Sequence, residues 1–156
     1  MRLKICWIGK TRNAQIAALS EEYLGRVRHL VPCEIAEARD PARGGDLRGD
    51  ERRAAEAKQL LKLAEGSNRI VVLDERGRQF SSPEFARWFE AEQDHGTREV
   101  AFVIGGPEGI APAVVERAHL SLSLGRMTWT HEICRMLLLE QIYRAFGILK
   151  HLPYHK

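Results

Sequence analysis

Two short apolar runs constrain this chain most: IVVL within residues 69–74 and VAFVI at residues 100–104, each bounded by turn residues. A run this short has no polar face to give to water. It suits a strand buried on both sides, as in a parallel sheet covered by helices. The flanking pattern agrees. Residues 2–8 alternate apolar and polar up to Gly9, residues 33–38 form a second short strand, and residues 119–124 alternate again. Helical spacing fills the gaps. Residues 12–30 carry Ile16, Leu19, Tyr23 and Leu24 at helical spacing, and Pro32 closes that segment. A second helix, with Asp46 or Asp50 as its cap, runs to residue 65 and stops at Gly66. Its five bases and five acids over residues 46–65 predict a salt-bridged, solvated face. Arg76-Gly77-Arg78 reads as a turn. Ser82-Pro83-Glu84 reads as a cap, first-position proline and first-turn acid opening a helix to about residue 94, near Gly96. A short helix over residues 112–118 and a long apolar one over 131–150 complete the order βαβαβαβαβα. That order predicts an α/β fold with a mainly parallel sheet flanked by helices.

At 156 residues the chain has the size of a single domain, residues 1–156. A chain this long buries roughly 70% of its unfolded surface, so neither disulfide nor metal is required. An apolar fraction of 44% and a charged fraction of 29% exclude disordered, collagen-like and coiled-coil classes. No apolar run approaches about 18 residues, so no membrane helix is expected. Residues 1–10 place a charge inside their apolar stretch and offer no small-residue cleavage site, which argues against a signal peptide. Cys6, Cys33 and Cys134 are odd in number and far apart, as expected of reduced thiols in the cytoplasm. With no CxxC pair and no Cys/His cluster, no metal is expected.

The net charge of +3 hides an uneven distribution. Residues 1–30 hold six bases and two acids; residues 126–156 hold five bases, two acids and three of the six histidines. The middle, residues 31–125, holds 13 bases and 17 acids. The basic ends form a face suited to phosphate if they meet in space, and otherwise are scattered solvated charge.

Ligands of open α/β sheets bind outside the carboxyl ends of the strands. Three such ends stand out: Leu73-Asp74, the run Ile104-Gly105-Gly106-Pro107-Glu108-Gly109, and Ser123-Leu124-Gly125-Arg126-Met127-Thr128-Trp129. Glycines let the backbone approach a ligand closely, although each run is also a plausible plain turn. The GGPEG run is neither of the phosphate-binding patterns GxGxxG and GxxxxGK[ST]. Pro107 lacks an N–H and Glu108 is negative, which favours a ligand without phosphates, a cationic one included. On the last helix, Glu140 and Arg144 have the spacing of an ion pair, and His131 sits where a structural or a catalytic imidazole would fit. That helix is apolar on more than one side, which a self-complementary dimer would cover. The tail, residues 151–156, reads as a frayed end or, with two His, a Tyr and a Lys, as a grip for single-stranded RNA.

Taken in order, VVLDERG, FVIGGPEG, LSLGRMTW, RMLLLEQIYRAF and the terminal PYHK resemble the SPOUT-class methyltransferases that modify N3 of a pseudouridine in large-subunit (23S) ribosomal RNA. The likeness spans essentially the whole chain. It implies a C-terminal trefoil knot and S-adenosylmethionine bound by Leu73, Gly105, Leu124, Gly125, Arg126, Met127, Thr128 and Trp129. It also implies a homodimer acting on helix 69 of the 23S RNA in the assembled ribosome. The sequence departs from the family pattern at LGRMTW, at Glu132-Ile133 after His131, and at the terminal Lys156.

Methyl transfer to N3 needs in-line attack and loss of a proton. Holding both reactants in place supplies on the order of 7–11 kcal/mol. His131 and His155 are the candidate bases. Arg135, Tyr154 and Lys156 are the candidates for stabilising developing oxygen charge or gripping phosphate. Glu108 either faces the sulfonium or caps the short helix that follows the GGPEG turn. Two other classes fit less of the pattern: a ribosome-associated RNA-binding protein without catalysis, and a nucleotide-dependent α/β enzyme.

Overall fold

A computed structural model describes residues 1–42, 45 and 47–153. The candidates Tyr154, His155 and Lys156, and the cap candidate Asp46, lie outside the described residues. The elements are β1 (Arg2–Ile8), α1 (Ala14–Arg28), β2 (Cys33–Ala38), α2 (Gly49–Leu63), β3 (Arg69–Gln79), α3 (Ser82–Asp94), β4 (Glu99–Val103), α4 (Pro112–Arg117), β5 (Leu120–Ser123) and α5 (His131–Leu149). The strands form one sheet in the order β2-β1-β4-β3-β5, with every neighbouring pair parallel.

The apolar runs are explained by the two cores that the sheet separates. Ile5, Val71 and Phe102 join Leu24, Phe89, Leu138 and Ile142 on the side of α1, α3 and α5. Their neighbours Cys6, Val72 and Val103 join Ala57, Leu60 and Val114 on the side of α2 and α4. Successive residues of a strand point to opposite faces, so a strand covered on both faces must be apolar throughout. Burial pushes the Cys6 and Cys33 thiols up to about 12, which keeps them protonated and inert.

Local chemistry sets the helix starts. The Asn13 side chain accepts from the Ile16 N–H at 3.0 Å, and Thr130 caps α5. The cap of α3 is Ser81 rather than Ser82, because Ser81 and Glu84 form a reciprocal capping box. Asp50 does not cap α2: the N-cap is Arg48, without a side-chain hydrogen bond, and Asp50 lies in the first turn.

The expected turn at residues 76–78 is instead part of β3, which runs on to Gln79 across an irregularity. Leu122 of β5 stands opposite both Leu73 and Arg78. Residues 74–77 are thus extruded from the ladder, and Gly77 presses on the neighbouring strand. A Cβ there would lie 2.6 Å from the Ser121 carbonyl carbon and 2.8 Å from that of Leu122.

Candidate active-site cleft

The three carboxyl-end loops meet. They enclose a cleft of about 660 Å³ lined by Leu73–Arg76, by Ile104–Ile110, and by most of the segment from Leu122 to His131. Arg53 of α2 and Cys134 of α5 complete the wall.

Each loop is held by contacts that the glycines permit. A Cβ on Gly105 would lie 2.8 Å from the Gly109 carbonyl oxygen, so the GGPEG loop folds onto its own backbone. A Cβ on Gly106 would lie 2.5 Å from the Glu56 carboxylate. Glu56 is 1% exposed and accepts from the Gly106 N–H at 3.3 Å and from Arg52 Nε at 2.9 Å. Arg52 also pairs with Asp40 at 3.3 Å. This buried chain ties the β4–α4 loop to α2. The expectation of a fully solvated α2 face is therefore corrected at Glu56, whose carboxylate is turned inward by a backbone donor and an arginine.

The other two loops are joined by the Thr128 hydroxyl, which donates to Glu75 at 2.6 Å. Asp74 accepts from the Arg76 side chain at 2.9 and 3.1 Å and from the Arg76 N–H at 2.8 Å. That guanidinium holds the Asp74 carboxyl below the usual carboxylate range, against the opposing effect of burial. Met127, 74% exposed, and Trp129, 42% exposed, leave apolar surface at the rim.

The first turn of α5 bolts the amino-terminal end of the chain to this site. Glu132 accepts from the Arg12 N–H at 2.7 Å and the Asn13 N–H at 3.1 Å. Burial tends to raise the Glu132 carboxyl, but these two N–H donors hold it below its usual value. Arg135 is 0% exposed. Its guanidinium donates to the carbonyls of Ile8 at 2.7 Å and Gly9 at 3.1 Å and to the Thr11 hydroxyl at 2.9 Å. It also lies over the Trp7 ring, 4.7 Å from the centroid. The segment carrying the exposed residues Lys10 and Arg12 is thereby brought against the start of α5, so the two end segments touch at this point, with Glu132 and the buried Arg135 as the charged groups of α5 there. His131, half-buried, lines the cleft next to them. Burial, aided by the nearby Arg135, Arg52 and Arg12 cations, pushes its imidazole below the ordinary value, with Glu132 opposing.

The chain matches, over residues 1–155, the family described as "Predicted SPOUT methyltransferase". It belongs to the SPOUT methyltransferase family. Relatives from Geotalea daltonii and Geobacter sulfurreducens, both named "Ribosomal RNA large subunit methyltransferase H", are each 44% identical over 155 residues, covering 99% of both chains. A crystal structure of a probable methyltransferase from Bordetella pertussis Tohama I shares the fold, with a TM-score of 0.59 at 13% identity. That match covers 93% of this chain and 96% of the other.

In this SPOUT methyltransferase, seven of the eight residues expected at the cofactor line the cleft: Leu73, Gly105, Leu124, Gly125, Met127, Thr128 and Trp129. Arg126 does not; it is exposed. Arg135 is placed away from the cleft wall: its guanidinium is fully buried, Nη1 and Nη2 donate to three oxygens of its own chain, and Nε is buried without a partner among the described residues, which is the position of a support. Glu108 lines the cleft but does not cap α4, whose N-cap is Ala111 with no side-chain bond. The expected Glu140–Arg144 pair forms, at 2.6 Å. Sequence reasoning missed Arg53, Glu56 and Glu132. Among the described residues, no group of three or more His, Cys, Asp or Glu could hold a metal ion, and no helix is long and apolar enough to cross a membrane.

Proposed function

We propose that this protein is an S-adenosylmethionine-dependent methyltransferase of large-subunit ribosomal RNA. In the full reading it modifies N3 of a pseudouridine in helix 69 of the 23S RNA, on the assembled ribosome in the cytoplasm. One observation carries it: the extruded stretch of β3 and the glycine-bearing loops after β4 and β5 converge on one cleft with His131 at its edge. The relatives' names supply the substrate class. The cradle fits such a cofactor, because Gly105 and Gly106 let the β4–α4 loop pack on the Gly109 backbone and on Glu56 where a Cβ would collide, which leaves the loop itself to line the cleft. Leu73, Gly105, Leu124, Gly125, Met127, Thr128 and Trp129 would hold it. When bound, S-adenosylmethionine supplies a methyl carbon made electrophilic by its sulfonium.

The chain's own residues do the rest. The loops orient the reactants and exclude water. His131 is the described candidate to accept the N3 proton, because its environment keeps the imidazole neutral near pH 7. His155, Tyr154 and Lys156 would contribute from the tail. The reading takes residues 1–156 as one domain whose own surface captures RNA through the basic residues beside α5. It also takes the segment after β5 as threaded in a trefoil knot, as the family resemblance implies. A homodimer completes each site, covering Met127, Trp129 and the half-exposed Ile133, Met136 and Leu137 of α5.

The decisive measurement is transfer of labelled methyl to ribosomes from a strain lacking this protein. We expect incorporation into 23S RNA at a single nucleotide. Binding of ribosomes with neither methyl transfer nor calorimetric binding of the cofactor would instead indicate a non-catalytic RNA binder. The pH dependence tests His131 separately. A lowered value means that the base survives acidification further than an ordinary imidazole, whose value is about 6.5. The single-turnover rate should fall on the acid side only below that pH, and His131→Asn should be slower by about 10²-fold or more with that acid limb gone. An unchanged acid limb in the variant rules His131 out as the base.

A further inference from the structure

Cleft-lining charges that already have partners leave little for a ligand. Arg76 donates to both carboxylate oxygens of Asp74, from Nε and Nη2, a two-point pair, and Glu75 accepts from Thr128. His131 is held toward its neutral form. Two groups remain. Arg53 of α2 lines the cleft, and its Nε is buried without a hydrogen-bond partner among the described residues. Its other contact is an ion pair with Asp50, whose side chain is 91% exposed; such a surface pair is weak and readily exchanged. Glu108, on the opposite loop, faces the same cleft with no hydrogen bond or ion pair described for its carboxylate. It stands against the start of α2, where a Cβ on Gly49 would lie 4.0 Å from its oxygen.

A buried N–H with no acceptor costs about 1–3 kcal/mol until something accepts from it. What remains in the cleft is therefore one cation with a spare donor and one carboxylate with spare lone pairs. Their complement is a zwitterion. Building on the cofactor reading above, we infer that Arg53 and Glu108 grip the amino-acid end of S-adenosylmethionine, Arg53 taking its carboxylate and Glu108 its ammonium group. The planar fork of Arg53 suits a carboxylate, and Glu108 accepts from the ammonium without a proton changing hands. The strand-end loops hold the nucleoside end, so α2 decides which amino-acid tail is accepted.

Calorimetry with two ligands isolates this grip without any turnover. S-adenosylhomocysteine carries the amino-acid end; 5′-methylthioadenosine lacks it. Arg53→Gln and Glu108→Gln should each weaken S-adenosylhomocysteine by about 10-fold or more, the loss expected for a charge-assisted hydrogen bond. Both should leave 5′-methylthioadenosine within about twofold of the unaltered protein. Arg53→Lys, which keeps the charge and loses the fork, should fall between. Thermal unfolding of each variant shows that it is folded. Equal losses for both ligands, or no loss for either, overturn the assignment. Failure of the unaltered protein to bind S-adenosylhomocysteine overturns the cofactor reading itself, and normal binding by both variants overturns only the roles of Arg53 and Glu108.

Discussion

Replacing Arg135 by methionine is expected to lower the stability of the fold by about 2–4 kcal/mol and the unfolding midpoint by roughly 10 °C. Methionine fills much of the same space, so the loss is not one of packing. It arises because the buried Ile8 carbonyl and the part-buried Gly9 carbonyl and Thr11 hydroxyl all lose their donor. Removing a buried cation returns part of its desolvation cost, which keeps the figure below the sum of three lost bonds. Arg135→Lys should recover less than half. One ammonium does not span two carbonyls and a hydroxyl, and burial drives a lysine to give up its proton. The measurement is thermal or denaturant unfolding beside ribosome affinity. If Arg135 gripped RNA instead, affinity would fall while the midpoint stayed put.

The second large effect is expected at Gly77. A valine there sets its Cβ 2.6 Å from a backbone carbon of β5. No rotamer relieves a clash between Cβ and backbone, so β3 and β5 must separate. We expect a loss of about 3 kcal/mol or more, seen as an early unfolding transition or as insoluble protein, with cofactor affinity lost alongside. Gly25→Ala is the matching control. It sits inside α1 with nothing within 4 Å, and should gain about 0.5–1 kcal/mol. If Gly77→Val unfolds like the unaltered protein, the extruded segment does not bear on β5 as described.

Much of the site was legible because its residues advertise themselves. The glycines of GGPEG follow an apolar strand at its carboxyl end, where open α/β sheets place their ligands. Glu56 was not legible. Four residues after Arg52 on a charged helix, it carries the mark of a solvated pair, and that pair does form. What turns the carboxylate inward is the Gly106 N–H, 50 positions away. Glu132 was hidden in the same way, since its partners are main-chain groups of residues 12 and 13, which have no signature of their own. Arg135 shows the converse. An arginine one turn after a histidine reads as part of an active site, and its burial against residues 8–11 is visible only in the fold.

The sequence by itself determined the order of elements, the parallel sheet and the three loops, because periodicity and glycine placement are local properties of the chain. The tertiary structure alone decided which charges are free. Whether Arg53, Arg135, Glu56 or Glu108 faces a ligand or a neighbour depends on what other segments bring within about 3 Å. Hydrogen bonding acts at that range, and the chain order does not encode it.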